Sequence, residues 1–128
     1  MWKYNEGEEP PAPFLAVTIH HPEAPHQTLQ LQAKIDTGAD ISAIPASIIG
    51  ELGLPVTSKL LVEGYDGTAS TVSTYGAILQ IEQARFRSQE FIAIAEPHAL
   101  LGREILNHYY LLLNGPKLNF DLRLKPFS

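Results

Sequence analysis

The chain has 128 residues, 45% apolar and 18% charged, with 14 acidic against 9 basic side chains and a formal charge of −5. That length supports one hydrophobic core, and an acidic balance without any Lys/Arg cluster argues against nucleic-acid binding through phosphate neutralisation. The absence of cysteine removes disulfides, thiolate nucleophiles and Cys-ligated zinc from consideration.

Residues 1–13, "MWKYNEGEEPPAP", combine charge with three prolines and offer little to bury, so they read as a flexible N-terminal arm ahead of a single domain at 14–128. The segment has no apolar h-region and no run in the chain is long enough to span a membrane, so the expectation is a cytoplasmic protein without a membrane partner. "FLAVTI" (14–19) reads as a strand and "HHPEAPH" (20–26) as a loop. "TLQLQAKI" then alternates: Leu29, Leu31, Ala33 and Ile35 share one face, and Thr28, Gln30, Gln32 and Lys34 the other. This half-buried strand ends at Asp36.

"PASIIGELG" (45–53) reads as a short helix, with Pro45 in its first turn and Gly53 just past its end. In "KLLVEGYDGTASTVSTYGAILQI" the Asp66-Gly67 pair between two β-prone runs predicts a hairpin, whose Gly, Ser and Thr content leaves it little to bury. "QEFIAIA" (89–95) is a further strand, and "ALLGREILNHYY" passes through Gly102 into a short helix. The last segment reads as a hairpin around Asn114-Gly115, with Leu118, Phe120, Leu122 and Leu124 as its apolar face. The sum is a mostly β domain with one or two short helices.

The chemistry concentrates at "KIDTGADISAIP" (34–45). A carboxylate at the end of a buried strand is held rigidly, Thr37 can hydrogen-bond across a symmetric contact, and Gly38 lets the backbone approach a substrate or partner closely. Acid–base hydrolysis of this kind needs two carboxylates sharing a proton, and the segment supplies one. A homodimer with Asp36 near its two-fold axis would supply the pair. Taken alone, the segment reads more readily as a strand-ending turn.

Three segments together resemble the retroviral-type, retropepsin-like aspartic proteases, in the manner of a single-domain cellular or prokaryotic member. "DTGA" follows an apolar strand, "EGYDGTAS" (63–70) stands where that family has its flap, and "LLGREIL" (100–106) is similar to its hydrophobic-hydrophobic-Gly segment and helix. The resemblance implies an all-β fold, a retropepsin-like closed β-barrel with a flap hairpin. It implies a homodimeric aspartic endopeptidase that acts on peptide or protein substrates without metal or organic cofactor. Asp36 would be catalytic and Thr37, Gly38 and Ala39 would form the active-site loop. Gly64, Tyr65, Asp66 and Gly67 would be the flap that closes over a bound peptide. Gly102 would pack behind the loop, and Asp40 and Arg103 would form an intrachain ion pair near the substrate ends. Pro97, His98 and Leu100 would shape subsites. Lys34, where many relatives carry an apolar residue, would favour acidic or polar substrate residues.

Two other readings compete. One is a catalytically inactive peptide-binding or dimerisation module on the same fold. The other is a small metal sensor built on His20, His21 and His26, against which the proline-rich loop favours plain solvent-exposed histidines. No Gly-x-Ser-x-Gly or phosphate-loop motif is present.

Overall fold

A computed structural model describes residues 1–64 and 66–127. Ten strands and two short helices follow one another: β1 Trp2–Asn5, β2 Ala12–His20, β3 Thr28–Ile35, β4 Ala43–Pro45, α1 Ala46–Leu52, β5 Val56–Glu63, β6 Ala69–Ile81, β7 Ala84–Ile94, β8 Ala99–Leu101, α2 Arg103–Leu106, β9 Tyr110–Asn114 and β10 Asn119–Arg123. No helix among them is long and apolar enough to cross a membrane.

The strands close into a ring. Pairing runs β2–β3–β8–β4–β7–β6, and Thr18–His20 of β2 return to Ile78–Gln80 of β6. The β3–β8 and β4–β7 contacts are parallel, and the long hairpin pairs are antiparallel. Closure removes two sheet edges and encloses the inward side chains of these six strands. Leu15, Val17 and Ile19 of β2 meet Ala33 and Ile35 of β3, Leu79 of β6, Phe91 of β7 and Leu101 of β8 in one core. Each such Leu, Ile or Phe contributes roughly 1.5–3 kcal/mol by leaving water. Helix α1 starts after Pro45 and ends at Gly53, whose φ of 63° is the left-handed conformation that glycine takes without a Cβ clash.

Two hairpins leave the ring. Strand β5 pairs, among the described residues, with β6 alone, and β6 pairs with β7 only from Tyr75 onward. Beyond the Val56–Tyr75 pair the β5–β6 hairpin is therefore a two-stranded arm, exposed along most of its length. At its tip Asp66 accepts from the Thr68 amide (3.1 Å) and hydroxyl (2.6 Å), and Gly67 at φ 81° completes the turn. Tyr65, expected in this turn, lies outside the described residues. The second hairpin, β9–β10, is extended by β1.

The N-terminal arm is corrected by this last pairing. Trp2 and Lys3 pair with Phe120 and Asn119, and Tyr4 and Asn5 with Pro13 and Ala12. Trp2 stacks on Phe120 with ring centroids 5.4 Å apart. Charge and proline content pointed to an unburied tail, but two aromatic residues at alternate positions supply the face that docks it. The apolar face of β10 is narrower than expected: Phe120 and Leu122 are buried, Leu118 sits in the turn at φ 52°, and Leu124 is exposed. His20 is also corrected. It is buried, with Nδ1 2.8 Å from the Pro25 carbonyl and Nε2 2.8 Å from Gln80 Oε1.

Candidate active site

Asp36 is fixed from three directions. Its amide donates to the Leu101 carbonyl (3.0 Å), which carries the β3–β8 ladder one residue past the strand. Its carboxylate Oδ1 accepts from the Gly38 amide (3.0 Å), and its carbonyl accepts from the Ala39 amide (3.2 Å). The turn that follows is thus tied to the carboxylate itself. Thr37 and Gly38 are exposed and Asp36 is half-buried, so the carboxylate stands at an accessible surface.

Behind the loop lies a second layer of bonds. Arg103 donates its amide to the Ala39 carbonyl (2.9 Å) and Nη1 to the Thr37 carbonyl (2.8 Å), while Nη2 pairs with the Asp40 carboxylate. One arginine therefore holds both sides of the Asp36 turn. Gly102 is required to be small: a Cβ there would stand 2.9 Å from the Ile41 carbonyl carbon and 3.0 Å from the Ala39 oxygen.

Ser42 and Glu104 complete this support, and the sequence reading missed both. The buried Ser42 hydroxyl donates to Glu104 Oε1 (2.7 Å) and accepts from the Gly102 amide (2.8 Å). The Ser42 amide donates to Glu104 Oε2 (2.6 Å). A signal was present: a lone serine inside the apolar run "ISAI" has a hydroxyl that must find a partner if the run is core.

The other expected residues fall into two groups. Lys34 pairs with Phe14 on one side and Leu100 on the other, on the strand that delivers Asp36. His98 packs edge-on against Phe14 (centroids 5.0 Å, 85°), donates Nδ1–H to the Ala99 carbonyl (3.1 Å), and has Nε2 3.9 Å from both Glu8 and Glu96. Lys34, Phe14, His98 and Leu100 thus form one patch along β2, β3 and β8; Pro97 is exposed beside it. Gly64, Asp66 and Gly67 belong instead to the separate β5–β6 arm. Two cavities, of about 440 Å³ between the β6–β7 turn and the segment after β10, and about 430 Å³ at the root of that arm, are not lined by Asp36. Among the described residues no three His, Asp or Glu side chains are grouped to hold a metal ion.

An acid held at the end of a ring strand by an Asp-Thr-Gly-Ala turn, backed by the buried Gly102 and the exposed Arg103 clamp, defines the class: an aspartic protease site on an all-β ring. The family model "Aspartyl protease" matches residues 26–105, which include the Asp36 turn, the β5–β6 arm and the Gly102-Arg103 clamp, and the chain belongs to that family of peptide hydrolases. No curated protein matches it significantly. Solved structures with the same fold include a retropepsin-like aspartic protease from Rickettsia conorii (15% identity, 88% of this chain and 82% of that one, TM-score 0.56). An EIAV protease in complex with an inhibitor is similar at 19% identity over 75% of this chain and 86% of that one, with a TM-score of 0.55. The simian foamy virus (mac) protease is similar at 15% identity over 73% and 92%, with a TM-score of 0.53.

Proposed function

We propose that the protein is an aspartic endopeptidase whose active site forms between two copies of the chain, each contributing Asp36. The observation that carries this reading is that Asp36 is held like a catalytic group yet has no second carboxylate on its own turn: its amide is committed to β8, its carbonyl and Oδ1 to the loop, and Asp40 is turned into the Arg103 pair. Two carboxylates brought together on a two-fold axis share one proton. The ionised Asp36 takes a proton from a water held between them as that water's oxygen bonds to the scissile carbonyl carbon. The protonated Asp36 of the second copy gives its proton to the carbonyl oxygen, leaving a neutral gem-diol. Collapse breaks the C–N bond: the nitrogen takes the proton that the first carboxyl had acquired, and one hydroxyl returns its proton to the other carboxylate. The β5–β6 arm closes over the peptide, and the Lys34, His98 and Leu100 patch contacts its side chains, with Lys34 favouring acidic or polar residues.

Asp36→Asn tests the reading. Hydrolysis of a peptide library should fall by at least about 10²–10⁴-fold, the scale of general acid–base catalysis, with folding and self-association retained. The wild-type rate should fall towards both low and high pH, because the dyad works only with a single shared proton. Undiminished cleavage by Asp36→Asn would overturn the assignment. Peptide binding by the wild type without any cleavage would favour the inactive binding module on this fold.

A further inference from the structure

The β5–β6 arm branches from the ring at one place, and a carboxylate occupies it. Glu90 of β7 faces Gly76 of β6 across the last ring pairings of that strand. Its Oε1 accepts from the hydroxyls of Thr57 (2.7 Å), Ser58 (3.1 Å) and Thr74 (3.1 Å). The Thr74 hydroxyl is also 2.9 Å from that of Thr57 and 2.7 Å from that of Ser58. Three hydroxyls carry three protons, and only an acceptor with no proton of its own lets all of them point inward together. Thr57 is the residue at which the β5–β6 register shifts, and its methyl lies over Gly76, where a Cβ would come within 2.8 Å. Thr74 is the outermost buried position of β6, and beyond it the arm has no support from β7.

We infer that Glu90 is a positioning residue for the flap, clasping the root of the β5–β6 arm through Thr57, Ser58 and Thr74 and so setting how the arm meets a bound peptide. The inference rests on the proposed function for the peptide but not for the clasp. The register shift frees the backbone at Thr57 from regular pairing, and the three hydroxyl contacts replace what the ladder gives up there. The hydroxyls, that of Thr57 foremost, hold the Glu90 carboxyl below the usual carboxylate range, so at neutral pH the clasp is built on an ionised acceptor. Glu23 and Arg87 line the hollow beside it and are the charged neighbours through which other parts of the fold would bias it.

Amide hydrogen exchange on Glu90→Ala, read without substrate, tests the clasp. Exchange across 59–73 should rise about tenfold, while that of ring residues such as Val17, Ala33 and Leu79 stays as in the wild type. Glu90→Gln, which keeps one acceptor, should recover part of the protection. With substrate, Glu90→Ala should raise KM about fivefold with kcat changed less than about twofold, since a looser arm has more freedom to lose on closing. Unchanged exchange at 59–73, or a rise shared equally by the ring, overturns the clasp. Raised exchange with an unchanged KM overturns the positioning role. A wild-type protein that cleaves nothing counts against the proposed function alone, because the exchange measurement then still decides the clasp.

Discussion

Asp36 owes its position to groups far from it in the chain, and the residues that matter next most are those that fix its turn. Ser42 is the clearest case. Ser42→Ala would strip the buried Gly102 amide of its acceptor and the half-buried Glu104 Oε1 of a donor. We expect a loss of about 1–3 kcal/mol in unfolding free energy by denaturant titration, the cost of leaving buried polar groups unpaired, with a fall in catalysis larger than a surface substitution produces. A Ser42→Ala protein as stable as the wild type would show that the hydroxyl is dispensable. Asp36 and Gly102 were legible in the sequence because each sits in a short motif whose neighbours explain it. Ser42 and Glu104 were not, because their bond spans 62 residues and neither side chain is unusual where it stands. The Asp40–Arg103 pair, itself largely exposed, acts through geometry more than energy, since such pairs contribute little to stability.

At the level of elements, strands with clean alternation were readable and those defined by a partner were not. Period two located β3, and the Asp-Gly turn located the β5–β6 hairpin. The three-residue strands β4 and β8 carry no periodic signal, and they exist because parallel neighbours, β7 and β3, hold them. Strand β1 was missed for the same reason: its docking depends on Phe120, at the other end of the chain. The segment it joins contains Asp121, buried between strands. Burial alone would raise its pKa, but the Arg123 guanidinium, the Leu122 amide and the charges of Arg123 and the N-terminal ammonium together hold it below the usual carboxylate range. A lowered folded-state value stabilises the fold above the ordinary carboxylate range, and this contribution is lost as pH falls through the lowered value. Asp121→Asn should therefore lower unfolding free energy by about 1–2 kcal/mol at pH 7, a difference that narrows towards pH 3 in denaturant titrations. A difference constant with pH would mean that the ionised form contributes nothing.

For the molecule as a whole, the ring makes a rigid body with its carboxylate at an accessible face, and the proposed second copy is what turns that face into a cleft. Subunit mixing measures this directly. Excess Asp36→Asn chain added to a fixed amount of wild type should suppress hydrolysis well below the wild-type level, as active pairs are replaced by mixed ones carrying a single competent acid. Activity that simply tracks the wild-type concentration would mean that each chain works alone. The expectation of a partner came from the single "DTGA" in the chain, which supplies one carboxylate where a shared-proton pair takes two.

The clamp around Asp36 also has a consequence in time. Arg103 reaches Thr37 across 66 residues of sequence, and β2 cannot meet β6 until the whole stretch between them is in place. Contacts this distant in sequence form late and slowly, because the intervening chain must be ordered before they give anything back. A nascent chain that has already exposed its "DTGA" therefore holds the acid in a loose turn without proteolytic geometry. Only when the Gly102-Arg103 segment emerges and docks does the turn take its final shape. The active-site turn is thus among the last parts of the molecule to mature, a built-in delay between synthesis and any capacity to cut.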